Sequence, residues 1–286
     1  MKNHAAPLLS AALALVSCTA ASADTIFRDD FDGTGLRNSW VYGFADNGQG
    51  WNYSVGGGLL TVTDISPIAF PPGCDVSGAS WSTVYLERPI TLNGDFNVSA
   101  AIAWDSGGIA GAMQSVSIQL FNCEGAQIAA VGYEDAWAFS LGSRASQLGS
   151  QVQYSGANTL PLAGNAVISI ERANGVWTTR FAGQTMQSGA APGVPAKLRL
   201  SFQYYASHLC AGGNTFFGTE TVDWLDVTGA PGAPSAADLN GDMVVDGTDL
   251  GILLGEWGTA DCAADITHDG LVDGVDLGVL LGAWTL

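Results

Sequence analysis

From about Asp24 to Gly229 the chain alternates apolar and polar side chains with period two, and this pattern constrains its fold more than any other feature. Clear stretches are Ser115-Val116-Ser117-Ile118-Gln119-Leu120, Val167-Ile168-Ser169-Ile170-Glu171-Arg172 and Lys197-Leu198-Arg199-Leu200-Ser201-Phe202. On an extended backbone successive side chains point to opposite faces, so each stretch reads as a strand with one buried and one wet face. Asn93-Gly94, Asn174-Gly175 and Gly56-Gly57-Gly58 punctuate the pattern with residues suited to tight turns. The reading gives about eleven strands and no long amphipathic helix. Short strands at this spacing predict a mainly β fold, an antiparallel jelly-roll β-sandwich over residues 24–229.

The alternation stops at residues 230–237, which hold small residues, two prolines and no charge. Such a segment can neither continue a ladder nor build a core, so it reads as a linker. Beyond it, residues 238–286 repeat themselves at an offset of 27, from Asp238 to Asp265. Asp238, Asp242, Asp246 and Asp249 align with Asp265, Asp269, Asp273 and Asp276. Leu250, Leu253, Leu254 and Trp257 align with Leu277, Leu280, Leu281 and Trp284. So many matches at one offset mark two copies of one supersecondary unit.

The carboxylate spacing has a mechanical reason. A twelve-residue loop that wraps a calcium ion turns positions 1, 3, 5, 9 and 12 inward and adds the backbone carbonyl of position 7. In the first copy these are Asp238, Asn240, Asp242, Asp246 and Asp249, with Val244 giving the carbonyl. The second copy offers Asp265, Thr267, Asp269, Asp273 and Asp276, with Leu271 giving the carbonyl. All are hard oxygen donors, as calcium prefers, so two calcium ions are expected. Position 8, Val245 or Val272, is expected to return to a small core. The leucines and tryptophan that follow fall at i, i+3, i+4 and i+7, one face of a helix, and the two faces are expected to bury against each other. So small a unit needs a staple, and calcium would supply it.

These residues resemble a type I dockerin, whose two loop-and-helix repeats follow the EF-hand ligand pattern but end in Asp. The resemblance covers Asp238 to Leu286. It implies a cohesin-type scaffold partner and a place in polysaccharide breakdown. The chain departs from the family at Met243, where position 6 is usually Gly, and at Thr267, where position 3 is usually Asn or Asp. Positions 10 and 11, which help dockerins select a cohesin, are Gly247-Thr248 and Gly274-Val275 rather than a matched polar pair. A calcium-stabilised tail without a cohesin is the competing reading.

The larger segment carries a second resemblance. Phe27-Arg28-Asp29-Asp30-Phe31-Asp32 and Val222-Asp223-Trp224-Leu225-Asp226-Val227 look like the first and last strands of a concanavalin A-like lectin/glucanase sandwich. Gly57-Gly58-Leu59-Leu60-Thr61-Val62 and Gly94-Asp95-Phe96-Asn97-Val98 resemble inner strands of its laminin-G-like members. The family includes carbohydrate-binding modules, adhesion domains and glycosidases. Some members hold a structural calcium between first and last strands, a role the resemblance would give to Asp30 and Asp223.

Retaining glucanases of that family carry an E-x-D-x-x-E or E-x-D-x-E strand that sets two carboxylates in one groove. No such strand occurs. Glu134-Asp135 are adjacent, and Glu220, Asp223 and Asp226 are spaced by three, so alternation splits both sets between faces. Binding without catalysis is therefore the favoured reading. Aromatic rings stack on sugars while amides and carboxylates bind their hydroxyls. The candidate ligand-binding residues are Trp81, Trp104, Asp105, Tyr204, Tyr205 and His208, with Phe216 beside them. A glycan-active hydrolase with a different constellation and a structural or adhesive surface protein are the alternatives.

Residues 1–23 read as an export signal, with Lys2, an apolar run from Ala5 to Val16, and Ala21-Ser22-Ala23 at the cleavage positions. Leu15-Val16-Ser17-Cys18 also fits a lipoprotein signal, in which Cys18 would be acylated. Simple secretion is preferred, because the folded domain starts soon after. No segment is long and apolar enough for a transmembrane helix. Of the other cysteines, Cys74 and Cys210 both sit in long loops and form the proposed disulfide; free thiols are the alternative. Nine Lys and Arg against 27 Asp and Glu, a net charge of −18, exclude nucleic acid as a partner.

Overall fold

The computed structural model describes residues 24–37, 40–45, 51–64, 81–90, 92, 94–105, 113–135, 142–190, 193–205, 218–229, 236–240, 244–261, 263–267 and 269–285. Among them the chain forms fifteen strands and two short helices. The strands are β1 (Asp24–Asp29), β2 (Val41–Ala45), β3 (Trp51–Gly56), β4 (Leu59–Asp64), β5 (Trp81–Pro89), β6 (Phe96–Asp105), β7 (Met113–Phe121) and β8 (Gln127–Asp135). They continue with β9 (Gly142–Leu148), β10 (Gln151–Leu160), β11 (Ala163–Ala173), β12 (Val176–Phe181), β13 (Gln184–Ala190), β14 (Lys197–Tyr205) and β15 (Thr219–Gly229). Helices α1 (Gly247–Gly255) and α2 (Gly274–Gly282) follow.

The strands form two antiparallel sheets. One runs β13-β12-β11-β6-β15-β4-β3, with β1 also on β15; the other runs β10-β9-β8-β7-β14-β5-β2. Alternation explains how they stack. Val116, Ile118 and Leu120 of β7 and Leu198, Leu200 and Phe202 of β14 are fully buried. They meet Val98, Ala100, Ile102, Ile168, Ile170, Leu225 and Val227 of the other sheet in one core. Burying apolar surface at roughly 25 cal/mol per Å² is what holds the layers together. Polar links also join the sheets: the hydroxyls of Ser146 on β9 and Thr179 on β12 lie 2.6 Å apart, and Ser146 donates to Gln187 Oε1 on β13 at 2.9 Å.

The turns fall where glycine and asparagine punctuate the sequence. Asn174 and Gly175 join β11 to β12 with φ of 51° and 75°, and Gly57 and Gly58 join β3 to β4 with φ of 64° and 80°. The first and last strands pair, with Phe27 opposite Val227 and Asp29 opposite Leu225. A register shift between Val222 and Trp224 divides β15. Its first half pairs with β4 and its second with β1, so two short strands share one edge.

Four more strands are present than the alternation indicated. β9 (GSRASQL) and β13 (QTMQSGA) carry few apolar residues. Their neighbours β8 and β12 supply the ladder bonds that fix them.

Residues 237–283 have their own core of Val245, Leu253, Ile266, Val272, Leu280, Ala237 and Ala264. Val245 and Val272 at loop position 8 do turn inward. The helix faces behave differently from expectation. Only Leu253 and Leu280 are buried, whereas Leu254 (52% exposed), Trp257 (46%), Leu281 (53%) and Trp284 (36%) face outward. For the tryptophans the cause is length. Each helix has nine residues and ends at Gly255 or Gly282, so neither tryptophan continues the helical phase. Each post-helix segment instead clasps the opposite loop. Val272 N–H donates to Thr259 O, and Thr285 N–H donates to Val245 O, both at 2.9 Å.

Gly132 on β8 lies against Val116 O and the Cβ of Ser117, leaving no room for a side chain. Gly132→Ala should cost about 1–3 kcal/mol and lower the melting midpoint by several degrees. An unchanged midpoint in thermal unfolding would contradict this packing.

Candidate functional site

The outer face of the β10-β9-β8-β7-β14-β5-β2 sheet carries the site. The same alternation that sends Val116 and Ile118 inward sends Ser115, Ser117 and Gln119 outward. Strand register lines these up with outward residues of the neighbours. One row across the strands reads Tyr85, Ser201, Ser117, Gly132, Ala145, Tyr154. The next reads Thr83, Gln203, Ser115, Glu134, Ser143. Small side chains in the middle strands leave a groove of about 170 Å³, lined by Ser115, Ser117, Gln119, Gln147, Gln203, Glu134 and Tyr154 among others.

Glu134 is the only carboxylate among the described lining residues. Burial raises its pKa, and a hydrogen bond from the Tyr154 hydroxyl offsets part of that rise. Burial beside Glu134 raises the pKa of Tyr154 in turn. Farther along the face, Glu87 accepts from Arg199 at 2.8 Å and Lys197 at 3.3 Å. Burial pushes the Glu87 carboxyl up, but these cations outweigh it and hold it below its ordinary value. The Arg199 guanidinium lies 4.0 Å from the Tyr85 ring centre and 4.4 Å from that of Phe121.

The residues singled out in the sequence fare unevenly. Trp104 is not a ligand platform. It is 4% exposed, stacked on Tyr133 at 4.3 Å, and its indole N–H donates to Pro161 O. Even-numbered residues of β6 face the core, and that parity turns it inward. Asp105, one residue on, is exposed. The backbone register sets Trp81 opposite Tyr205, and Tyr204 opposite Ser82, at one end of the sheet that carries the groove. The side chains of Trp81, Tyr204 and Tyr205 lie outside the described set, as do His208, Phe216, Cys18, Cys74 and Cys210. Cys123, on the turn between β7 and β8, is disulfide-bonded. Glu220 is inward and 1% exposed, while Asp223 is outward.

Asp30 and Asp223 were expected to hold a cation between the terminal strands. Among the described residues Arg28 lies beside these carboxylates. It pairs with Asp30 at 2.6 Å and approaches Asp226 at 3.9 Å. The Asp30 hydrogen bond, with the charges of Asp226 and Asp223, raises the Arg28 pKa.

The C-terminal loops place their carboxylates in a regular way. Asp238 and Asp249 of the first loop and Asp265 and Asp276 of the second are 1%, 0%, 4% and 0% exposed. These are loop positions 1 and 12. No Lys or Arg occurs in the segment. Asp249 accepts from the N–H groups of Leu239, Asn240 and Asp246 at 2.7, 3.1 and 2.8 Å. Asp276 accepts from Thr267 and Asp273 N–H at 2.9 and 2.8 Å. Burial pushes the Asp276 carboxyl up, but the N–H groups of Asp273 and Thr267 and the Thr267 hydroxyl hold it below its ordinary value. Asp246 and Asp273, at position 9, cap the helices by accepting from Thr248 and Val275 N–H at 2.7 Å. Asp242 lies outside the described residues; Asn240 is exposed, as are Val244, Asp269 and Leu271. The donor chemistry fits a hard cation: buried carboxylates with no counter-charge in the segment. Among the described residues no three His, Cys, Asp or Glu side chains converge as a metal-binding group. No described helix is long and apolar enough to cross a membrane.

Solved structures share the sandwich. The CBM2 module of the evolved Dit protein of Lactobacillus casei BL23 phage J-1 is 12% identical over 73% of this chain and 97% of its own, with a TM-score of 0.51. A β-1,3-glucanase from Mycobacterium marinum is 14% identical over 72% and 99%, at 0.47. The Bacillus licheniformis β-glucanase is 12% identical over 72% and 98%, at 0.45. At 12% identity the likeness to the phage module is one of fold. Neither a protein-family model nor a curated protein sequence matches the chain.

Proposed function

We propose that this chain is an exported carbohydrate-binding protein whose 24–229 sandwich holds a polysaccharide and whose 238–286 unit is a calcium-folded, dockerin-like attachment module. The groove on the β7-β8-β14 face carries the reading. It combines a tyrosine ring with Ser, Gln and Glu groups on a rigid floor, the mixture that stacks on a sugar and binds its hydroxyls. The hollow on the opposite sheet is larger, about 540 Å³, but small and aliphatic residues such as Ala101, Ala103 and Val167 dominate it, and its described lining residues include no aromatic.

Binding is favoured over hydrolysis because a glycosidase of the usual kind works with two carboxylates, and Glu134 stands without a second among the described lining residues. Export is supported by the Lys2-to-Ala23 pattern and by the Cys123 disulfide, which suits an oxidising compartment. Calcium binding is supported by four buried loop carboxylates in a segment with no Lys or Arg. A bound ion would supply the charge those carboxylates lack. A cohesin-type scaffold would then be the partner of this module, by its resemblance to dockerins.

Incubation of the full chain with insoluble polysaccharides, followed by sedimentation and assay of released reducing sugar, tests the reading. Retention without release is expected, and Tyr154→Ala should weaken retention about tenfold. Sugar release would establish hydrolysis instead, and retention unaffected by Tyr154→Ala would move the site elsewhere. For the module, calcium titrated into the chelator-treated chain should bind saturably at about two ions. Amide exchange over 247–255 and 274–282 should slow in step. Titration without heat and without slower exchange would remove calcium from the account.

A further inference from the structure

Glu134 sits in the groove in a setting that a structural carboxylate does not need. It faces outward between Ser115 and Ser143 in its row, and its described hydrogen-bond partner is the Tyr154 hydroxyl of β10. Among the described residues, the elements around it bring no positive charge. β7 and β14 present Ser115 and Gln203. Arg144 of β9 turns to the opposite face, over the Phe181 ring at 5.8 Å. The face does carry Lys197 and Arg199, but both are committed to Glu87. From the strand spacing and rise, Arg199 stands roughly 15 Å from Glu134, beyond the reach of screened charge. A sugar lying over Glu134 and Tyr154 would therefore meet a carboxyl group and neutral donors and acceptors.

We propose that Glu134 makes this end of the groove selective for uncharged sugars, by setting a carboxylate where an anionic residue would bring its own negative charge. The inference rests on the groove being the glycan site. Its physical basis is like-charge juxtaposition in a partly dehydrated space, where a single pair discriminates strongly.

The test uses the full chain and a panel of neutral pentasaccharides of glucose, mannose and galactose, each paired with its C6-oxidised, uronate-bearing counterpart. Affinities are measured by calorimetry at pH 7 and about 0.1 M salt, where charges beyond about 10 Å are screened. Glu134→Gln removes the groove charge. Glu124→Gln, on the exposed β7–β8 turn, removes an equal charge elsewhere and controls for the net charge of −18. The wild type should bind at least one neutral oligomer about tenfold or more tightly than its oxidised form. Glu134→Gln should shrink that ratio to about threefold or less, and Glu124→Gln should leave it unchanged. A ratio that survives Glu134→Gln, or one that shrinks equally in both variants, overturns the role of Glu134 while leaving the groove as a binding site. Failure to bind any member of the panel overturns the groove itself, and this inference with it.

Discussion

Packing of the two sheets depends on where β7 and β14 put their bulk. Val116, Ile118, Leu120, Leu198, Leu200 and Phe202 all point inward and are fully buried. What the middle of the same strands puts on the outer side is small or polar: Ser115, Ser117, Ser201, Gln203. The stabilising apolar burial and the hollow on the opposite face are two consequences of one alternation. A single-residue slip in register would exchange them. Gly132 enforces that register locally, because its Cα side lies against Ser117 and Val116 O.

The fold was more legible in the sequence than the site. The long strands, the Asn174-Gly175 and Gly57-Gly58 turns, and the meeting of the Phe27 and Val227 segments all follow from local pattern or from the resemblance it supports. Strands such as β9 and β13 carry little local pattern, and their order comes from neighbouring ladders rather than from their own residues. The groove escaped for a related reason. Tyr85, Ser117, Glu134 and Tyr154 come together only through the strand order β10-β9-β8-β7-β14-β5. No short window of sequence contains that order. Trp104 shows the converse error: an aromatic beside a loop looks available, yet its parity on β6 sends it against Tyr133.

In the C-terminal unit the spacing of carboxylates was informative and the helix faces were not. Asp246, Asp249, Asp273 and Asp276 organise the backbone by capping the helices and gathering loop N–H groups. That dual use explains why two nine-residue helices can start at all. It also leaves four buried carboxylates without a neighbouring Lys or Arg in the segment, the condition under which a divalent cation would contribute most. Elsewhere the chain meets comparable acidity with arginine, as Arg28 does for Asp30 and Asp226.

The central claim is that a polysaccharide lies on the β7-β8-β14 face. Hydroxyl-radical footprinting of the full chain, with and without bound polysaccharide, reads this directly. The account predicts protection of Tyr154 and Tyr85, with Trp224 and Val167 on the other sheet unaffected. Protection confined to Trp224 and Val167, with Tyr154 still fully reactive, would contradict it.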